Sequence, residues 1–541
     1  MATPVVERMD HLGIVAGVCD AIGLVEYFDQ QDTHWHARVS LGQAVKAMVL
    51  NGLGFSNRQL YLFPQFFANK PLEELLGPGI SAEDLNDDCL DRALDWLYAH
   101  DVTTLFAGIA AQARSRWGVQ TQQLHIDTTS FAVEGAYTPE EGDLDAQVIA
   151  VTYGYSRDRR ADLKQWMCAL ATTVDGDIPV FMRPLDGNSS DKATLLQAML
   201  TVQAQLRDAP DGPMTFVADS GVYSVANMHH LQAAGVRWVS RVPETAHQAQ
   251  ECVAREDVAW QQEPGTDWHW WATTVSVDER TERWLIVRSA QGIAQSQATM
   301  QRKATTDQER WQKTLWHLGN QRFACEADAH TALTKALRQC PAWIRVATYL
   351  VPHPVYASSG RPKAETAPVR TEYTITATVT LEPAAVEREA LRRAAFIVAT
   401  NILDPRDLAD AEVIRTYKQQ GSVERGFAFL KDPLFLASSV FVKKPERIMA
   451  IAGIMVLCLL VYRLAEQRIR TQLVANRQTV PDQLKKPTQR PTMRWLFQCF
   501  EGIDLLKFPD NPPIPLRVEE VHRLVLSLLG DRFLKIYFSA K

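Results

Sequence analysis

The stretch from Gln122 to Val242 constrains the chain most, because its apolar pattern switches between strand and helix periods in one definite order. LHIDTTSFAV alternates and is rich in β-branched residues, VIAVTYGYS follows, and KQWMCALATTV turns through Asp175-Gly176-Asp177 into IPVFMRPL. An Asp-Gly pair suits a tight hairpin, so three successive strands are expected, the last two joined by that turn. Asp191 then caps a helical run, KATLLQAMLTVQAQL, which ends near Pro210, Gly212 and Pro213. MTFVAD reads as a short buried strand, SVANMHHLQAAG as a helix and VRWVSRV as a further strand. The β-β-β-α-β-α-β order implies an α/β fold, a mixed sheet flanked by helices.

Around this core the texture differs. Residues 1–118 alternate helix-like apolar patterns with polar breaks and show no competing strand pattern. This helical region is a candidate for DNA binding or dimerisation, weighed equally against plain packing. Residues 119–242 form the first part of the core. Between 243 and 393 the pattern loosens into a tryptophan-rich segment with an alternating strand at TEYTITATVT, read as an insertion, partly β, inside the core. Core texture resumes at AAFIVATNIL and extends over 394–445, and 446–541 is again helical, a second candidate for DNA binding or oligomerisation. Its apolar run, Ile448 to Tyr462, falls short of the ~20 residues of a membrane-spanning helix and reads as a buried helix.

At 541 residues the chain exceeds the ~250–300 at which single cores stop growing, so it holds several domains or one elaborated core. A formal charge of −6 means that any nucleic-acid surface must be a local basic face hidden in the total. The eight cysteines lack CxxC pairing and Cys/His ligand spacing, which fits reduced thiols in a cytoplasmic protein and argues against zinc. The N-terminus has neither a basic n-region nor an apolar h-region, so no secretory signal is expected.

Chemistry enters through three carboxylates. In LHID, Asp127 projects from one side of the first strand near its end, and Asp219 ends the fourth strand before a Ser220-Gly221 turn, where ligands gather in α/β sheets. In YKQQGSVERGFAFLK, Tyr417, Glu424 and Lys431 are spaced seven apart and fall on one helical stripe beside an apolar stripe of Val423, Phe427 and Leu430. If the first and fourth strands are neighbours and the helix packs across them, three oxygens meet. Hard carboxylates without Cys or His favour Mg²⁺ or Mn²⁺, and two such ions ~3.5–4 Å apart serve phosphodiester displacement. Each acid alone has an ordinary reading, the two aspartates as turn caps and Glu424 as a solvated residue of an amphipathic helix.

The same residues resemble a known family, the DDE transposases of bacterial insertion sequences. The likeness is to the insertion-sequence-four superfamily, whose late helix carries Tyr-x2-Arg-x3-Glu-x6-Lys, read here as Tyr417, Gln420, Glu424 and Lys431, with Gln420 in place of Arg. HIDTTSF, GYSRDRRADLKQ, GNSSDK, VADSGVYS, VERGFAFLKDPLF and RWLFQCFEGI are similar to its IS-1634-like branch. The resemblance implies an RNase H-like catalytic core interrupted by a largely β insertion, with Asp127, Asp219 and Glu424 as the acidic triad and two Mg²⁺ or Mn²⁺ ions as cofactor. It further implies cut-and-paste transposition on double-stranded DNA, with terminal inverted repeats and target DNA as partners and a homodimer in the synaptic complex. Tyr417, Gln420 and Lys431 would hold DNA, with Arg415 or Arg425 offsetting the missing Arg, and a Trp of the insertion (Trp268, Trp270, Trp271 or Trp284) would stack on a flipped base.

A basic run, Arg463, Arg468, Arg470, Arg477, Lys485, Lys486, Arg490 and Arg494, is a candidate DNA track, as are Arg157, Arg159, Arg160 and Lys164. Asp158, Asp162 and Asp191 read as turn and cap residues. Two rival readings remain: an RNase H-like nuclease that cuts without joining, and a transposase-derived DNA-binding protein without catalysis. The intact set of three acids argues against the second rival.

Overall fold

The computed structural model describes residues 4–538 apart from 33–34, 36, 56–61, 136, 138–147, 157, 159, 207–211, 256, 358–366, 433–443 and 509–510. The chain divides into two compact units. One comprises Met1–Ser240, Ser276–Thr281 and Thr400–Lys541; the other comprises Arg241–Val275 and Glu282–Ala399.

The first unit is built on five strands: β1 (Gln123–Val133), β2 (Lys164–Thr173), β3 (Pro179–Leu185), β4 (Thr215–Ala218) and β5 (Arg237–Arg241). Their order is β3-β2-β1-β4-β5, with β1, β2 and β3 antiparallel and β1, β4 and β5 parallel. This is the mixed sheet expected from the segment order, in the RNase H-like arrangement that the resemblance implies. Helices Asp191–Gln205 and Val225–Ala233 make the connections that parallel strands require. The Asp-Gly turn forms between β2 and β3, with Gly176 at φ +82° and Asp177 at φ +55°.

Four local readings need correction. Ser190, not Asp191, occupies the N-cap position of helix Asp191–Gln205, without a side-chain cap bond, and the Asp191 side chain lies outside the described residues. VIAVTYGYS contributes a single bridge, Thr152 to Gln165, instead of a strand. Asp127 lies mid-strand, since β1 runs on to Val133 against β2 after its other neighbour β4 has ended at Ala218. A strand also occurs in the N-terminal region, Val5–Arg8, paired with Asp504–Lys507; four residues are too few to show a period.

Behind the sheet, helix Pro445–Ala475 packs against Leu12–Ile22, Leu41–Gly52, Asp87–Ala99 and Val102–Trp117. A Cβ at Gly453 would lie 2.2 Å from Val102 Cγ2, so glycine permits this seating. The two ends of the chain share this core, and Tyr537 Oη donates to the Asp10 carbonyl at 2.6 Å. The helix extends beyond the apolar run and is long and apolar enough to cross a membrane by length and composition alone, yet 94% of its most apolar window is buried in protein.

The second unit contains the expected strand at TEYTITATVT, Arg370–Leu381, paired antiparallel with Ile344–Val355. It also contains the 30-residue helix Ala290–Gly319, which the sequence reading did not anticipate. Its buried positions, Met300, Ala304, Asp307, Trp311 and Leu315, follow the helical period, but Ala and Asp among them dilute the apolar signal.

Where the chain re-enters the first unit, Asn401 clips onto β5: its Nδ2 donates to the Val236 carbonyl at 2.8 Å and its Oδ1 accepts from Trp238 N at 3.0 Å. The segment carrying Glu424 is thus delivered to the same sheet as the two aspartates.

Candidate active site

β1 and β4 run side by side with Ile126 opposite Ala218. Asp127 and Asp219 are the next residues on the two paths, and neighbouring strands lie only ~4.8 Å apart. Asp127 is half-buried, and its Oδ1 accepts from Thr128 N at 2.7 Å. Asp219 is exposed, while its carbonyl accepts from Ser240 Oγ at 3.2 Å and Val222 N at 3.2 Å. The main chain is therefore fixed while the carboxylate faces solvent.

Glu424 comes from helix Gly421–Leu430, which packs on β1 and β2. A Cβ on Gly426 would lie 3.2 Å from Leu170 Cδ2, and Leu170 is the β2 residue opposite Asp127. The helix therefore crosses the sheet at the level of Asp127. Val423, Phe427 and Leu430 are buried beneath it and Glu424 is exposed, in the first turn, where the helix dipole favours a carboxylate.

Tyr417 is not on that helix. The stretch read as one amphipathic segment is two helices, Asp410–Lys418 and Gly421–Leu430, broken at Gln419-Gln420. Gln419 has ψ near 0°, and Gly421 is a poor helix interior, so the ladder is interrupted there. The seven-residue stripe consequently holds for Glu424 and Lys431 but not for Tyr417, which is half-buried just before the break. Gln420 is the N-cap of the Glu424 helix, without a side-chain cap bond.

Three anchors seat these helices. His125, two residues before Asp127 and on the same face, contacts the Thr416 carbonyl through Nε2 at 3.0 Å. Arg425 makes a bidentate pair with Asp177 of the β2–β3 turn, at 2.7 and 2.8 Å, and this pair raises the guanidinium pKa. Lys431 Nζ lies 5.7 Å from the Phe131 ring centroid and pairs with both Asp158 oxygens at 2.9 and 2.8 Å. Two of the DNA-holding candidates thus have internal partners in this structure, and Arg415 pairs with Glu412 at 2.9 Å.

The basic run divides similarly. Arg463 is buried against Glu466 at 2.7 Å, Arg470 pairs with Glu466 at 3.0 Å and Arg494 with Asp432 at 2.8 Å. Arg468, Arg477, Lys485, Lys486 and Arg490 stay exposed. Arg160 pairs with Asp162 at 2.9 Å, Lys164 donates to the Tyr137 carbonyl at 3.1 Å, and Arg157 and Arg159 lie outside the described residues. Of the tryptophans, Trp270, Trp271 and Trp284 are buried as core anchors and Trp268 is half-buried.

Asp127, Asp219 and Glu424 are hard oxygen donors of the kind Mg²⁺ and Mn²⁺ prefer. They are not drawn together here, since among the described residues no three His, Cys, Asp or Glu side chains stand close enough to hold an ion. In kind the donors fit a hard divalent cation; in spacing they would still have to close on it.

A model of the transposase DDE domain matches residues 126–461, more than half of the chain. The chain belongs to the DDE transposase family. It is an enzyme that cleaves and transposes DNA. Residues 4–111 of the transposase match a domain of unknown function (DUF4277), and no curated protein matches the chain. A solved structure of piggyBac transposase, a synaptic complex with hairpin DNA, is similar over 93% of this chain and 83% of that one, at 10% identity and a TM-score of 0.38.

Asp177 reads from the sequence as an ordinary turn residue, and its place beneath the Glu424 helix appears only in the fold. The signal was weak, because an acid following Asp-Gly is ordinary turn chemistry and its partner Arg425 lies far along the chain.

The buried histidines of the transposase give a pH dependence. Burial lowers the pKa of both His11 and His125 to about 4. Between about pH 6.5 and 4 the unfolded chain therefore takes up protons that these native imidazoles refuse, and stability falls as the pH drops. With ~1.4 kcal/mol per pKa unit, each contributes a loss of order 3 kcal/mol by pH 4. Calorimetric melting at pH 6.5 and 5 should show a smaller drop for His125→Gln than for the unaltered chain; an equal drop would rule His125 out as a source.

Proposed function

We propose that the transposase cuts at insertion-sequence ends and joins the freed 3′-OH to target DNA, with Asp127, Asp219 and Glu424 as the carboxylates at the reacting phosphodiester. The register that sets Ile126 opposite Ala218, and so makes Asp127 and Asp219 neighbours, carries this reading. Two Mg²⁺ or Mn²⁺ ions, held by the three acids, would supply Lewis acidity to the phosphoryl oxygens and a more acidic water. The protein's own part is positional. Asp127 and Asp219 would form the sheet side of the site, and the Glu424 helix would have to close on it from above.

The insertion-sequence-four assignment belongs to the same reading. Lys431 would exchange Asp158 for a DNA phosphate as a point charge, Tyr417 would donate a hydroxyl, and Gln420 would offer a neutral amide where relatives carry a charged fork. A homodimer pairs two inverted repeats in the cytoplasm. Residues 1–118 and 446–541 supply DNA-facing or dimerising surfaces, around a core of 119–242 and 394–445 and an insertion of 243–393.

The test uses the DNA flanking the gene as substrate with Mg²⁺. Asp127→Asn and Asp219→Asn should each slow nicking by at least about 10³-fold while gel-shift affinity is kept. Near-normal nicking by either variant overturns the assignment. Cleaved ends that are never joined would instead favour the nuclease.

A further inference from the structure

In the second unit several cations rest on indole rings. The Arg288 guanidinium lies 4.5 Å from the Trp260 ring centroid, Arg255 lies 5.5 Å from Trp271, and the Lys303 ammonium lies 5.9 Å from Trp343. Arg255, Arg288 and Arg388 line one cavity of about 460 Å³, together with Trp260 and Trp343. Its lining includes one acid, Glu389, which is already shared by Arg392 at 2.7 Å and Arg393 at 2.6 Å. Among the described residues no carboxylate pairs with Arg255, Arg288 or Arg388.

Two donors of this cavity are left open, while Arg255 and Arg388 reach it from exposed positions. Among the described residues Arg288 Nε and Trp343 Nε1 are buried without a hydrogen-bond partner, and burial lowers the Arg288 pKa. A half-buried guanidinium without a counter-charge is costly, and an anion entering beside it removes that cost. Stacking on an indole fixes the plane of a guanidinium while its N–H fork stays available, the geometry that oxyanions accept bidentately. The cavity falls within the ~300–1,000 Å³ of small-molecule sites, too large for one simple ion.

We propose that this cleft binds phosphate groups of a polynucleotide backbone, with Arg255, Arg288 and Arg388 as the donors. The proposal rests on the transposase reading for the source of the phosphates, a DNA strand, and a free nucleotide offers the same chemistry. The experiment measures DNA affinity of the full chain by fluorescence anisotropy across a salt series. The triple variant Arg255→Gln, Arg288→Gln, Arg388→Gln should flatten the slope of log K against log salt by about 2 to 3, since each phosphate contact contributes ~0.9. Trp260→Leu, which removes no charge, should weaken binding without flattening the slope as far, and it serves as the second variant if the triple substitution unfolds.

An unchanged slope with unchanged affinity overturns the proposal. So does tight, saturable binding of ATP or pyrophosphate that the triple variant loses while its DNA affinity stays intact, which would assign the cleft to a free nucleotide. Binding is read here and cleavage in the tests of Asp127 and Asp219, so a failure of one reading leaves the other interpretable.

Discussion

Glu424→Gln is expected to stop strand cleavage, with a loss of at least about 10³-fold, while DNA affinity stays within about twofold. Glutamine has nearly the volume of glutamate, so Val423, Phe427 and Leu430 keep their buried seats and Gly426 stays against Leu170. What changes is the charge at one exposed point in the first turn of the helix, worth ~0.3–1 kcal/mol to the helix itself. So small a stability term cannot produce a thousandfold rate effect by unfolding the protein. Lost cleavage with retained melting temperature and retained binding would place the effect in the chemistry. Retained cleavage would show that the third acid is not Glu424 and that the late helix only packs.

The second large effect is structural. Asp177→Asn should destabilise the first unit by about 3 kcal/mol, the lower end of what breaking a buried ion pair costs. Asp177 is 6% exposed, forms a bidentate pair with Arg425 and lies 3.7 Å from the buried Arg463. Asparagine tolerates the positive φ at this position, so the turn survives and the charge alone is removed. Arg425 is partly exposed and rehydrates, which keeps the cost below the top of the range. Arg463 retains Glu466 at 2.7 Å.

Because Arg425 adjoins Glu424, the same substitution should also loosen the helix over Asp127 and lower cleavage. Urea unfolding of Asp177→Asn, Arg425→Ala and the double variant measures the coupling. Strictly additive losses would mean that the pair does not hold the helix down.

Much of the core was legible because it is built from local patterns. Alternation in LHIDTTSFAV, the Asp-Gly turn and the periodic run after Asp191 each report on a few consecutive residues, and the structure keeps all three elements. Local pattern and fold part where a neighbouring segment decides the outcome. Asp127 reads as a strand end from its own segment, yet β1 continues because β2 pairs with it to Val133. The seven-residue spacing of Tyr417, Glu424 and Lys431 is a property of an ideal helix, and Gln419-Gln420-Gly421 does not sustain one.

Which charges serve the site was not legible at all. Sequence offers Lys431 and Arg425 as DNA-holding cations and Arg463 as part of a basic track, while the fold pairs them with Asp158, Asp177 and Glu466. Ion pairs between residues hundreds of positions apart leave no periodic trace.

By itself, then, the sequence determined the kind of sheet, the three acids available to it and the family motifs, since period, turn chemistry and residue order are written along the chain. Tertiary structure alone decided that Ile126 stands opposite Ala218, that the Glu424 helix crosses at Leu170, and that Asp177 holds it there. Strand register and helix seating come from packing and hydrogen bonding between distant segments. Their energies are sums over contacts that no single segment contains.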